Sequence, residues 1–235
     1  YGHLYPSTQK EIIKYLWGGW MKEIQIKYLF IGISDYNPTK SEFTNVTLED
    51  YPTDTVAFFP NHNNNKYLEI VSFKRILGLL YDKQISKKDK FLNITNCKTP
   101  TELAKKLQEE EIYFCNLDKI KGNSRIIFPD KNFKVKNDDK DSYSGDKSGN
   151  PNNVEKTIWK ITKDTKVLCF GSDPIKDITK KFEENNLPIE NLSTFPHPSK
   201  NNSNEFWKCF DKEYDPIEYN KRLENRPKFN NSPTP

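Results

Sequence analysis

The sequence predicts an α/β protein, a three-layer α/β/α sandwich around a mostly parallel central sheet of about four strands. Two observations carry that expectation. Short apolar runs bounded by charges, at residues 26–33, 111–117 and 166–171, have the length and the β-branched or aromatic content of buried strands. Segments with helical apolar spacing alternate with them, and strands separated by helices form a parallel sheet covered on both faces. With 34% hydrophobic and 13% aromatic residues in 235, the chain can build a sizeable core.

Taken in order, residues 7–21 set Ile12, Ile13, Leu16, Trp17 and Trp20 at helix-like spacing after a Pro-Ser start, and read as a helix. The dense run at 26–33 reads as the first buried strand. Residues 67–81 are amphipathic through Leu68, Ile70, Val71, Phe73, Ile76, Leu77 and Leu80. Residues 99–111 open on Thr-Pro-Thr-Glu, a capping pattern, with Leu103, Ala104 and Leu107 on one face. Both read as helices. The runs at 111–117 and 166–171 read as core strands, 177–185 as a further helix, and 189–195 leads into Phe195-Pro196-His197-Pro198-Ser199.

Residues 132–153 (NFKVKNDDKDSYSGDKSGNPNN) carry too little apolar content to offset the entropy of ordering. They read as a flexible insertion within one domain spanning 1–225; as a linker between two domains they would leave the strand at 166 without neighbours. The tail at 226–235 is expected to be poorly ordered. A net charge of +4 permits nucleic-acid binding without arguing for it, although Lys200, Lys208, Lys221, Arg222, Arg226 and Lys228 gather near the carboxyl end. The four cysteines, Cys97, Cys115, Cys169 and Cys209, show no metal-ligand spacing. They point to a reducing, intracellular compartment and to no metal or cofactor. No apolar stretch approaches the ~20 residues of a membrane span and no signal-peptide pattern is present, so no membrane partner is expected.

Ligands of open α/β sheets sit beyond the carboxyl ends of the strands, so the residues following each run are the candidates. They are Gly32-Ile33-Ser34-Asp35-Tyr36-Asn37-Pro38, then Phe114-Cys115-Asn116-Leu117-Asp118-Lys119, and His197; Ala57-Phe58-Phe59-Pro60 lies between them. His197 stands between two prolines that stiffen its loop. Each residue also has a plain structural explanation: Asp35, Asn37 and Pro38 as turn formers, Phe58 and Phe59 as core, Asn116 as a partner for backbone. Together, a carboxylate, a carboxamide, a histidine and a ring on one rim suit chemistry on a planar heterocycle. No Gly-x-Ser-x-Gly elbow or phosphate-cradling glycine loop occurs, which argues against other α/β hydrolases and nucleotide-binding proteins.

In this order, Gly32 to Tyr36, Ala57-Phe58, a strand ending in Asn116, Val167 to Gly171 and His197-Pro198-Ser199 resemble the uracil-DNA glycosylase superfamily over residues 26–223. Phe206-Trp207-Lys208-Cys209-Phe210 matches an aromatic run of its members. The resemblance implies excision of a flipped base from DNA, single-stranded or duplex, by a monomer. Phe58 would stack on the base, Asn116 read its edge, and Tyr36 exclude larger substituents. His197 would donate a hydrogen bond to the leaving base, and Pro198, Ser199, Lys200 and Asn201 would meet the DNA backbone.

There are departures. Active members read Gly-Gln-Asp-Pro-Tyr, which puts Ser34 at the water-positioning carboxylate and Asp35 one residue late. Either the loop is out of step and Asp35 serves, or the carboxylate is replaced. Asn201 stands where duplex readers carry an apolar wedge, which favours single-stranded, mismatched or modified substrates. The expected function is a DNA glycosylase acting on a uracil-like, damaged or modified base; the alternative is a catalytically altered DNA- or partner-binding protein on the same fold.

Overall fold

A computed structural model describes residues 12–16, 19–36, 43–61, 65–85, 87–121, 125–129, 154–202 and 206–207. Its strands are β1 (Ile12–Leu16), β2 (Gly19–Gln25), β3 (Tyr28–Gly32), β4 (Thr44–Val46), β5 (Val56–Asn61), β6 (Ile112–Asn116), β7 (Ile126–Ile127), β8 (Val154–Lys160), β9 (Lys166–Phe170) and β10 (Leu192–Phe195). Its α-helices are α1 (Val71–Tyr81), α2 (Lys88–Thr95), α3 (Pro100–Glu109), α4 (Leu117–Lys121) and α5 (Ser172–Glu184). The expected insertion at 132–153, the tail, and Cys209 lie outside the described residues. Among the described residues, no helix is long and apolar enough to cross a membrane.

The chain is α/β with mostly parallel sheets. Its central sheet has four strands in the order β10-β9-β3-β6, and every pair is parallel. β6 is buried along its whole length and β3 and β9 at all but their first residue, which is why they read as continuous apolar runs. One phenylalanine from each strand makes a ladder across the sheet. Phe114 stacks on Phe30 at 4.5 Å between ring centroids, Phe30 on Phe170 at 6.0 Å, and Phe170 on Phe195 at 5.3 Å. Such ring pairs stabilise beyond their area alone, by about 0.5–1.5 kcal/mol each.

In the part of residues 7–21 that is described, 12–16 and 19–21, the expected helix is replaced by strands, while 7–11, 17 and 18 lie outside the described residues. β1 and β2 pair antiparallel there, from Leu16↔Gly19 to Ile12↔Glu23, and β2 continues a second sheet of order β1-β2-β8-β7. The segment's β-branched and aromatic residues suit a strand as well as a helix face, and the pairing partner β8 lies far away in sequence. Two residues separate β2 from β3, and five, with a turn closed by Thr165 N–H on Thr162 C=O, separate β8 from β9, so two parallel chain segments pass from one sheet into the other. At the crossing, Ile26 N–H donates to Lys160 C=O (3.0 Å) and Thr165 Oγ1 to Ile26 C=O (2.7 Å).

The capping expectation at 99 holds: Thr99 Oγ1 accepts from Glu102 N–H at 3.1 Å, while the Glu102 carboxylate accepts from Lys98 N–H at 2.6 Å. α5 starts five residues before the expected 177. Gly171 at φ +94° turns β9 directly into the helix, and Pro174 is harmless in a first turn because its missing N–H has no helical partner there.

Candidate functional site

The central sheet changes direction once. From β3 the chain adds β6 on one side and later β9 and β10 on the other, so the switch lies between β3 and β9, where such sheets bind ligands. Two glycines mark the rim. A Cβ on Gly32, the last residue of β3, would stand 2.6 Å from Asn116 Oδ1 and 2.8 Å from Phe58 Cζ. One on Gly171, just after β9, would stand 3.2 Å from Ile33 Cδ1 and 3.4 Å from His197 Cδ2. Missing side chains thus let Asn116, Phe58 and His197 close on the two central strand ends.

Phe58 arrives there through a break in pairing. The β4–β5 register jumps from Val46↔Val56 to Asn45↔Pro60, so Ala57, Phe58 and Phe59 bulge from the ladder. Phe58 itself has φ +67°, which is rare for a bulky residue and persists only when its surroundings hold it. They do. Tyr36 Oη donates to Phe58 C=O at 2.9 Å and lies 3.1 Å from Ser72 Oγ, and the Phe58 ring meets Phe170 edge-on at 5.3 Å. Asn45 ties the same two segments: its Oδ1 accepts from Tyr36 N–H at 2.7 Å and its Nδ2 donates to Val56 C=O at 2.9 Å. Burial raises the Tyr36 phenol well above its ordinary pKa, so it stays a donor.

Asp35 joins Asn116. Its Oδ1 accepts from Asn116 Nδ2 at 2.6 Å and from Thr55 Oγ1 at 2.7 Å, and its Oδ2 lies 3.9 Å from Lys119 Nζ. A carboxylate only accepts, so it fixes the Asn116 amide with nitrogen toward Asp35 and oxygen over Gly32. Ser34 is exposed. The loop therefore brings Asp35, not Ser34, into this cluster.

His197 is half-buried, and burial holds its pKa below the ordinary histidine value. Its Nδ1 accepts from Ser199 N–H at 3.2 Å. A neutral ring whose Nδ1 accepts carries its proton on Nε2, so His197 offers an N–H donor at the rim. Asn202 Nδ2 donates to His197 C=O at 2.8 Å and Trp207 Nε1 to Pro196 C=O at 2.9 Å. Asn202 N–H donates to Ser199 C=O at 3.1 Å, closing a turn whose central residues, Lys200 and Asn201, are exposed. Pro198 is buried and Ser199 half-buried with its amide turned inward, so of the four residues expected on DNA, the two at the turn face solvent.

Sequence reasoning missed Thr55, Asn45, Ser72 and Arg75. Arg75 is 3% exposed, and its Nη1 donates to the carbonyls of Pro198, Ser199 and Asn202. A cation inside the apolar run of α1 was a readable signal, since buried arginine needs partners. The other three carry no distinguishing pattern. Cys97, Cys115 and Cys169 are buried free thiols; burial pushes Cys115 up to about 12, and raises Cys97 and Cys169 as well. They are packing residues, not nucleophiles. Among the described residues, no three His, Cys, Asp or Glu side chains group to hold a metal ion. No protein-family model, curated protein or solved structure matches the chain.

Proposed function

We propose that the chain is a three-layer α/β/α DNA glycosylase that flips a uracil-like, damaged or modified base and hydrolyses its N-glycosidic bond. The observation that carries this reading is the convergence of Phe58, Asn116, Asp35 and a His197 held as an Nε2–H donor on the carboxyl ends of β3 and β9. The layers follow from handedness. The crossover from β3 to β6 and that from β9 to β10 run in opposite directions across the sheet, and right-handed crossovers then put α3 and α5 on opposite faces.

The chemistry divides between two groups. As the bond between sugar and base breaks, its electron pair passes to the base, while positive charge grows on the sugar. The Nε2–H of His197 stabilises the departing anion without transferring a full charge, an interaction strongest in the transition state. The Asp35 carboxylate faces the sugar side, stabilising the cation and orienting the water that adds to it; the proton this water gives up neutralises the departed base anion, so sugar gains OH and base gains H. The Phe58 ring stacks the base and the Asn116 amide, oriented by Asp35, reads its edge. Phe58 is 7% and Asn116 1% exposed, so on this reading a base reaches them only when the rim opens locally.

The test is release of free base, read by mass spectrometry, from single-stranded and duplex oligonucleotides carrying uracil and a panel of modified bases. Wild type releases at least one base, and His197→Ala lowers its rate by about 10²–10³-fold, as loss of one such donor does. Binding of the oligonucleotides with no base released from any would instead make the chain a non-hydrolytic DNA-binding protein. Neither binding nor release would end both readings.

A further inference from the structure

Among the described residues, Arg75 is the one buried cation, and the proposed chemistry gives it no part. It projects from α1, is 3% exposed, and lies with its guanidinium carbon 5.7 Å from the Trp207 ring centre. A single nitrogen, Nη1, donates to Pro198 C=O at 3.2 Å, to Asn202 C=O at 3.3 Å and to Ser199 C=O. These carbonyls belong to the loop that presents His197.

The peptide between Pro198 and Ser199 links the two groups. A trans peptide is a rigid plane whose C=O and N–H point in opposite directions. Its C=O is held by Arg75, and its N–H therefore points the other way, where it donates to His197 Nδ1 at 3.2 Å. The guanidinium charge polarises that peptide and strengthens its N–H as a donor. Five fixed donors let one arginine hold several carbonyls, which a flexible lysine ammonium does with less definition.

We propose that Arg75 is a positioning residue that fixes His197 as the Nε2–H tautomer through the Pro198–Ser199 peptide. It touches neither base nor sugar. For catalysis this rests on the glycosylase reading; the tautomer claim does not.

The test compares wild type, Arg75→Met and Arg75→Lys by long-range ¹H–¹⁵N NMR of the His197 ring at neutral pH, alongside base-release kinetics. Wild type shows one neutral tautomer protonated at Nε2. Arg75→Met shows a mixture, with kcat lower by about 10²-fold, the cost typical of a displaced catalytic group, and KM little changed. Arg75→Lys lies between the two on both readouts. A wild-type ring protonated at Nδ1, or an Arg75→Met ring indistinguishable from wild type, overturns the proposal. Should Arg75→Met fail to fold, the ring signature of Arg75→Lys decides alone: unchanged, it refutes the proposal. Absence of any base release by wild type removes the glycosylase reading and leaves the NMR comparison as decisive as before.

Discussion

Replacing Gly32 with alanine tests the convergence at the rim directly. The added Cβ would lie 2.6 Å from Asn116 Oδ1 and 2.8 Å and 3.2 Å from two carbons of the Phe58 ring, all inside ordinary van der Waals contact. Neither neighbour yields easily. Asn116 is paired with Gly32 at the end of β6 and donates to Asp35 at 2.6 Å, while Phe58 is held by Tyr36 and wedged against Phe170. Overpacking of this kind costs about 1–3 kcal/mol, and two fixed neighbours put Gly32→Ala in the upper half of that range. For a chain of this size, a loss of about 2–3 kcal/mol lowers Tm by about 4–12 °C. Because the strain falls on Phe58 and Asn116, the proposed glycosylase reading expects base release to fall too, by about 10–10²-fold. Gly171→Ala is the control. Its Cβ meets nothing closer than 3.2 Å, but φ +94° makes it pay about 1–2 kcal/mol of backbone strain. Differential scanning calorimetry of both variants reads the result. A Gly32→Ala melt within about 1 °C of wild type would refute the packing of Phe58 and Asn116 on the end of β3.

Three other outcomes are expected. Asp35→Ala leaves Asn116 and Thr55 without their acceptor and lowers stability by about 1–3 kcal/mol together with activity, whereas Ser34→Ala, at an exposed position, changes stability by less than about 0.5 kcal/mol; urea melts giving the reverse order would return the carboxylate position to residue 34. Burial holds the folded His197 pKa below its unfolded value, so the unfolded chain binds the extra proton and stability, full above about pH 6.5, is lost as pH falls through the folded value. His197→Gln removes that share of the acid dependence, read as the difference in Tm between about pH 7.5 and pH 5, and equal slopes in the two proteins would contradict it. Cys97, Cys115 and Cys169 resist iodoacetamide at pH 8 until the protein unfolds, and peptide mapping that finds any of them labelled at the rate of a free thiol would show the site of that cysteine to be open.

The central sheet was legible because three of its four strands, β3, β6 and β9, are buried on both faces. Residues 28–32, 112–116 and 166–170 had to be continuous apolar runs, and that pattern is local. The second sheet was not, since β2 is a strand by virtue of pairing with β8, more than a hundred residues away, and Ile12, Ile13, Leu16 and Trp20 satisfy helical spacing by coincidence. The site divides in the same way. Gly32 and Asn116 end strands and His197 comes shortly after one, so topology alone nominated them. The φ of Phe58 depends on a β4–β5 register jump, and the partners of Asp35 come from residues 20 and 81 positions away, which no local pattern encodes.

The loop after β3 shows how position in sequence and position in space come apart. An ungapped match sets Ser34 at the carboxylate of the glycosylase motif, yet strand geometry decides which side chain reaches the rim. With Gly32 as the last paired residue, Ser34 faces solvent while Asp35 turns to Thr55, Asn116 and Lys119. Tyr36 then closes onto Phe58, the register in which the motif's tyrosine already agreed. One residue of slack between a strand end and a fixed tyrosine therefore suffices to exchange serine for aspartate at the site. The exchange has a consequence for rate. Two of the lone-pair positions on Asp35 are committed to Asn116 and Thr55, which leaves its second oxygen, beside Lys119, to meet water. A carboxylate so engaged is a weaker acceptor for water than a freer one, while its hold on the Asn116 amide is firm. On the proposed glycosylase reading, discrimination among bases is thereby favoured over speed of hydrolysis, and Asp35→Asn should relax base preference more than it slows release of the preferred base.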